Sequence, residues 1–157
     1  MRHTIRRKGF LLVFALMLTI LITVIGFGML SAFKGNYAAS RAALESIQAR
    51  NLARSGMEDI RAKLSRNPFF PSGVGDEQRV FSFSEVVTDF DGNEIGSYRV
   101  SVDRTYRDTH HVILVESTGI AGQTEGNGAR HTLYGELHTV DGDFVFKIWQ
   151  EGALPRL

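Results

Sequence analysis

The side chains that could perform catalysis or bind a metal are few, and their spacing does not favour shared chemistry. His110 and His111 are adjacent, and neighbouring side chains on a strand point to opposite faces, so the pair does not predict a shared metal or an acid-base pair. Ser117 has no histidine or carboxylate at a spacing typical of an activated nucleophile. The sequence therefore predicts no catalytic centre, and we expect no enzymatic activity and no cofactor.

One oxygen-rich segment is a weak calcium candidate through Asp89, Asp91 and Asn93. It lacks the twelve-residue ligand spacing of an EF-hand, and Asp91-Gly92 is typical of a hairpin turn, which is the favoured prediction. The glycine-rich residues 123–128 do not open a helix after a strand, as a phosphate-binding loop does. They predict a surface turn.

Charge and composition exclude several classes of protein. Eighteen Lys and Arg side chains against seventeen Asp and Glu leave a formal charge of +1 on 157 residues, so we expect no nucleic-acid partner. Apolar residues make up 43% of the chain, which predicts a folded protein. Cysteine is absent, so the fold must be held by its core and its assembly rather than by disulfides.

The most apolar segment lies near the amino terminus. From Phe10 to Phe33 there are 24 residues without a charge, nineteen of them apolar. As a helix this segment is about 36 Å long, enough to cross a hydrocarbon core of roughly 30 Å. Basic residues precede it and only Lys34 follows closely, which predicts a cytoplasmic amino terminus and an exported remainder. A cleaved secretory signal is the main alternative, which the length of the segment disfavours.

A helical pattern continues beyond this segment to about Leu64, shortly before Asn67-Pro68. With about 100° of rotation per residue, its apolar side chains form two opposed stripes. We predict that the distal stripe packs on the following domain and that the proximal stripe meets other subunits. A frayed juxtamembrane linker without a partner is the alternative. The proximal stripe is Phe33, Tyr37, Leu44 and Ile47, and the distal stripe is Ala53, Met57, Ile60 and Leu64.

Two glycines, Gly26 and Gly28, interrupt the apolar segment. Each costs about 1 kcal/mol of helix propensity in water, so the pair indicates a place where the helix bends or loosens. Close packing against another helix explains small residues in a membrane equally well. The sequence leaves both interpretations open.

The remainder of the chain predicts a small sheet. After the turn-rich residues 68–75 the apolar pattern changes toward alternation, which is typical of strands. The predicted fold class is α+β, with one face of a mainly antiparallel sheet covering the distal stripe. The predicted strands are residues 80–83, 86–88, 98–103, 111–117, 132–138 and 143–149, separated at Asp91-Gly92, 119–128 and Asp141-Gly142.

A basic stretch ending in Gly9 directly before Phe10 and a long apolar segment resembles the class III leader of type IV prepilins and pseudopilins. The basic residues nearest the junction are Arg6, Arg7 and Lys8. The order of short leader, apolar helix, turn and small sheet is also similar to that family, with the PilX-type minor pilins nearest in the pattern of 98–102, 113–119 and 130–133. The resemblance implies a type IV pilin-like fold with a leader at 1–9, a transmembrane half-helix at 10–33, an exported half-helix at 34–66 and a β-rich domain at 67–157.

The same resemblance implies a role in pilus assembly. A prepilin peptidase would cleave after Gly9, and Phe10 would become the N-methylated amino terminus. Phe14 stands where major subunits carry a glutamate, which implies a subunit at initiation or at the fibre tip. Phe14, Gly26, Gly28 and the proximal stripe would pack against other pilins.

The implied partners are other pilins, the prepilin peptidase, the inner-membrane assembly platform and the lipid bilayer. The implied location is a single-pass position in the inner membrane with a periplasmic sheet domain, which becomes extracellular in a fibre. A minor pseudopilin of a type II secretion or DNA-uptake system is the first alternative. The second is a signal-anchored periplasmic binding domain that never polymerises and keeps its leader.

Overall fold

The computed structural model describes residues 8–71, 78–122, 128–140 and 142–152. The chain divides into two compact units, one ending at Arg41 and the other running from Ala42 onward. Helix α1, Lys8–Arg66, contributes residues to both units. The boundary falls inside the predicted exported half-helix, so residues 42–66 of α1 belong to the same unit as the sheet.

The sheet is an antiparallel meander in which each strand pairs with its neighbour in sequence. Alternating apolar residues in these strands face α1, so the predicted α+β architecture of a long helix on an antiparallel sheet is confirmed. The elements after α1 are β1 (Val80–Thr88), β2 (Glu94–Asp103), α2 (Arg107–His110), β3 (Val112–Ala121), β4 (Ala129–Val140) and β5 (Asp143–Glu151).

The core of the second unit lies between α1 and the sheet. Every residue of the distal stripe is fully buried there. Strand residues at alternate positions complete this core, which follows from the two-residue period of a strand. The main buried strand residues are Phe81, Tyr98, Val100, Val102, Ile113, Val115, Leu133, Leu137 and Phe144.

The strands extend further than the sequence pattern predicts. Residues 80–83 and 86–88 belong to one strand, β1, and residues 119–121, predicted as part of a turn, complete β3. The sequence pattern places His111 at the start of β3, but β3 begins at Val112, and His111 lies just before it at a positive φ of 55° after the short helix α2. The predicted strands stop at glycine and polar residues, which have low strand propensity. The observed strands are longer because hydrogen bonding to the neighbouring strand continues past these residues.

The main chain of α1 lies directly against the main chain of β3 at Gly119. A Cβ added to Gly119 would lie 2.1 Å from the carbonyl oxygen of Ala49 and 2.4 Å from the amide nitrogen of Ala53. On the helix, a Cβ added to Gly56 would lie 2.4 Å from Ser117 Oγ. Glycine on both elements therefore allows the helix to sit closer to the sheet than side chains permit.

Gly119→Ala is expected to lower the free energy of unfolding by about 3 kcal/mol or more, because the added methyl group meets main-chain atoms that cannot rotate away. Chemical denaturation of the detergent-solubilised full chain, followed by the fluorescence of Trp149, measures this change. Trp149 is the single tryptophan.

The matched control is Gly35→Ala, whose added Cβ would meet nothing within 4 Å. This variant should keep the unfolding midpoint of the domain within about 0.5 kcal/mol of wild type. If Gly119→Ala unfolds at the same denaturant concentration as Gly35→Ala, the helix does not approach the sheet as closely as described.

Candidate functional site

The uncovered surface of α1 is the candidate functional site. All residues from Leu11 to Phe33 are exposed, and α1 is long and apolar enough to cross a membrane. Leaving this much apolar surface in water is unfavourable, at roughly 25 cal/mol per Å². This part of the helix is therefore suited to a lipid bilayer or to the apolar surface of partner helices.

The polar side chains within the apolar segment are satisfied by the helix itself. Thr19 Oγ1 donates to the carbonyl oxygen of Ala15 at 2.8 Å, and Thr23 Oγ1 donates to the carbonyl oxygen of Thr19 at 2.7 Å. A polar group in hydrocarbon needs such an internal partner because water is absent. The two threonines are therefore compatible with a membrane-spanning helix.

The predicted assembly residues lie on this uncovered surface. Phe14 is 57% exposed, and a Cβ added at Gly26 or Gly28 would meet nothing within 4 Å. Within the described residues, neither glycine is therefore required by close packing. Gly26 and Gly28 are therefore positions where another helix has room to approach closely.

The proximal stripe is exposed throughout. Its four side chains are between 58% and 73% exposed, with Phe33 and Tyr37 in the first unit and Leu44 and Ile47 in the second. The distal stripe of the same helix is fully buried. The two stripes of α1 therefore differ sharply in their exposure to solvent.

The predicted cleavage junction lies in the first turn of α1, since the helix begins at Lys8. The structure gives the backbone at Gly9 and Phe10 as helical. Arg6 and Arg7 lie outside the described residues, as do the side chains of residues 8–10.

A cleft of about 380 Å³ borders the proximal stripe where α1 passes the end of β5. Ile47 and Trp149 supply apolar wall, and Arg50 forms an ion pair with Glu151 across it. The Arg54 guanidinium carbon lies 5.7 Å from the centre of the Trp149 ring, within range of a cation–π contact. Charged groups thus surround an apolar patch, the arrangement of a protein contact surface with a polar rim.

No protein-family model, curated protein or solved structure matches this chain.

The oxygen-rich segment forms a hairpin turn between β1 and β2. Asp89 Oδ1 accepts hydrogen bonds from the amides of Asp91 and Asn93, and Asp89 Oδ2 accepts one from Asn93 Nδ2 at 3.0 Å. Gly92 takes a φ of +85°, as such turns require. These bonds lower the pKa of the Asp89 carboxyl, with the Asn93 side chain the largest cause. The Asp89 carboxylate is thus occupied by hydrogen bonds within the turn. Among the described residues there is no group of three side chains placed to hold a metal ion.

The other candidate chemical residues are also dispersed. Ser117 is fully buried beneath α1, and its hydroxyl has no hydrogen-bond partner in the described parts of the chain. His110 Nδ1 lies 2.8 Å from Thr109 Oγ1 at the exposed end of α2. In the described parts of the chain, the Ser117 hydroxyl therefore has no histidine or carboxylate within hydrogen-bond distance.

A charged cluster that sequence reasoning missed ties α1 to the edge of the sheet. Lys63 Nζ donates to Asp59 Oδ2 at 2.6 Å and to Glu85 Oε1 on β1. The Tyr98 hydroxyl donates to Glu85 Oε2 at 2.8 Å. Lys63 Nζ also lies 4.2 Å from the centre of the Phe83 ring. Only the spacing of Asp59 and Lys63, four residues apart on a helix, was visible in the sequence.

The cluster shifts the pKa of Lys63, Glu85 and Tyr98. Burial alone would lower the pKa of Lys63, but the hydrogen bonds to Asp59 and Glu85 outweigh it and raise the pKa above 10.5. Hydrogen bonds from Lys63 and Tyr98 lower the pKa of Glu85 below 4.5. Burial, together with the bond to Glu85, raises the pKa of the Tyr98 hydroxyl. The charged forms of Lys63 and Glu85 are therefore favoured by the fold.

A depressed pKa in the folded state means that Glu85 stabilises the domain at pH values above about 4.5 and loses that contribution as the pH falls through its folded pKa. We expect the free energy of unfolding to decline on acidification, and Glu85→Gln to make this decline shallower. At pH 7 the variant should be less stable than wild type by up to about 1 kcal/mol, since Glu85 is half exposed.

The measurement is a series of denaturation curves between pH 3 and pH 7, read from Trp149 fluorescence. Glu94→Gln is the matched control, because Glu94 lies on the same hairpin and forms no ion pair within the described residues. Wild type and Glu94→Gln should show parallel pH dependence. A Glu85→Gln curve parallel to both would show that the cluster does not contribute to acid stability.

Proposed function

We propose that the chain is a minor type IV pilin that takes part in pilus assembly, at initiation or at the fibre tip. A prepilin peptidase removes residues 1–9, and the mature protein joins other subunits through α1. The observation that carries this proposal is an uncharged helical segment that directly follows Gly9 and is exposed from Leu11 to Phe33. The same helix continues into a half whose distal stripe is buried in a small antiparallel sheet.

The proposed mechanism is a transfer of α1 from lipid to the core of a fibre. Cleavage removes four basic residues and no acidic ones, which leaves 14 Lys and Arg against 17 Asp and Glu and a formal charge of −3. Without its basic leader the helix loses the charges that hold its start on the cytoplasmic side. It can then leave the bilayer and pack among equivalent helices, which present a similarly apolar surface.

The helix and the sheet have different roles in this mechanism. Residues 10–33 span the inner membrane before assembly and lie inside the fibre afterwards. Leu44 and Ile47 extend this contact along the exported part of α1. The sheet remains outside, in the periplasm and then on the fibre surface.

An initiating or capping position is supported by Phe14. A carboxylate within a bilayer costs up to roughly 3 kcal/mol, so a subunit is expected to carry one there where a partner charge compensates. Phe14 avoids this cost and needs no charged partner on a neighbouring subunit. Such a helix suits a place in the fibre where one neighbour is missing.

Mass spectrometry of the amino terminus tests the proposal. The chain purified from cells that contain a prepilin peptidase should begin at N-methylated Phe10, and the chain from cells without it should keep Met1. Gly9→Val should block cleavage, because the leaders that this sequence resembles end in glycine. The matched control, Gly35→Val, should be cleaved normally.

A mature start at Met1 in the presence of the peptidase would contradict processing, and a start at Phe33 would indicate an ordinary secretory signal instead. Recovery of processed chain in sheared extracellular fibres supports a pilus. Processed chain that stays in the membrane fraction of secreting or DNA-importing cells would favour a pseudopilin and overturn the pilus assignment.

A further inference from the structure

A second cleft, of about 370 Å³, opens where β1 begins and β2 ends. Three arginines from two separate chain segments line it, Arg79 before β1 and Arg104 and Arg107 after β2. Such a concentration of one charge within a cavity is unexpected in a chain whose overall charge is close to neutral. We call it the arginine cleft, and its other lining residues are Phe69, Thr105, Asp108 and Thr109.

Main-chain hydrogen bonds hold the three arginines in neighbouring positions. The Arg104 amide donates to the carbonyl oxygen of Arg79 at 2.7 Å, and the Arg107 amide donates to the carbonyl oxygen of Arg104 at 3.0 Å. The Thr105 amide donates to Asp103 Oδ1 at 2.8 Å. The sheet and its β2–β3 connection therefore hold the backbone of the three arginines close together before any ligand arrives.

Aromatic rings orient two of the guanidinium groups. The Arg104 guanidinium carbon lies 4.6 Å from the centre of the Phe81 ring, and that of Arg107 lies 5.5 Å from the centre of the Phe69 ring. Cation–π contacts of this kind restrict a long side chain while leaving its N–H groups able to donate. Less side-chain entropy is then lost when an anion binds.

The charge of the arginine cleft is positive. Three arginines and one acidic residue, Asp108, are among its lining residues. Arg104 is already engaged within the chain, so Arg79 and Arg107 are the arginines available to a ligand. Arg79 and Arg107 form no ion pair with any acid in the described parts of the chain. The hydroxyls of Thr105 and Thr109 add uncharged groups that can donate to an anion.

We propose that the arginine cleft binds a phosphomonoester, a small organic molecule that carries a terminal phosphoryl group. A guanidinium fork matches two phosphoryl oxygens at once, and a phosphomonoester offers three oxygens with a charge of about −1.5 to −2. The volume lies in the range of roughly 300 to 1,000 Å³ that is typical of small-molecule sites. The exposed ring of Phe69 provides an apolar wall for the organic part. This inference is independent of the proposed role in a fibre.

Isothermal titration calorimetry of the detergent-solubilised full chain tests the proposal. The probes are inorganic phosphate, glucose 6-phosphate, dihexanoyl phosphatidic acid and, as the neutral control, glucose. We expect one phosphomonoester to bind per chain with a Kd of about 1 mM or tighter, and glucose not to bind. Tighter binding of the sugar phosphate identifies a soluble ligand, and tighter binding of the phosphatidic acid identifies a lipid headgroup.

Arg79→Gln and Arg107→Gln should each weaken this binding about tenfold or more. The matched control is Arg99→Gln, which removes the same charge from an exposed position on β2 that does not line the cleft. Unfolding curves confirm that each variant is folded, and Arg79→Gln decides the outcome if Arg107→Gln loses stability with its Phe69 contact. The proposal is overturned by the absence of saturable binding, by folded variants that keep wild-type affinity, or by an equal effect of Arg99→Gln.

Discussion

The close approach of α1 to β3 is the constraint on which the domain depends. At Gly119 the helix backbone lies against the strand backbone, and at Gly56 the helix leaves room for Ser117 and the strands beneath. This contact fixes which side of the helix faces the sheet. Met57, Ile60 and Leu64 then enter the core because they share that side of the helix. The cluster around Lys63 secures the end of the same helix to β1.

Fixing one face of α1 also determines what remains uncovered. Leu44 and Ile47 belong to the domain but stay outside its core, and the residues that succeed them along this face, such as Ser55 and Glu58, are exposed and polar. An apolar contact surface is thus confined to the early part of the helix. Under the proposed function, subunit contacts are limited to the apolar segment and to the turns of α1 that follow it, up to Ile47. The sheet then makes no contact with the neighbouring helices. The arginine cleft belongs to that sheet domain and has its own chemistry.

The sequence predicted the parts of the structure that depend on periodicity. Placing residues at 100° intervals around the helix separates the two apolar stripes of α1. Alternation of apolar and polar residues identifies the strands. The sequence did not predict Gly119 as a strand residue, because glycine weakens a strand and the approach of α1 that requires it here depends on the tertiary fold. The bonds from Lys63 to Glu85 and from Arg104 to Arg79 join residues distant in sequence. No local sequence pattern predicts such pairs, because they form only when α1, β1 and β2 come together in the folded domain.

The central claim is that the uncovered early face of α1 contacts other subunits while the rest of the domain does not. Site-specific photo-crosslinking measures this directly, with p-benzoylphenylalanine placed at Ile47 or at Ser55, two exposed positions on the same helix. Under the proposed function, in cells that assemble pili, Ile47 should yield adducts with pilins or with a second copy of the chain, and Ser55 should yield few or none. Equal adducts from both positions, or an Ile47 variant that remains monomeric, would contradict the account.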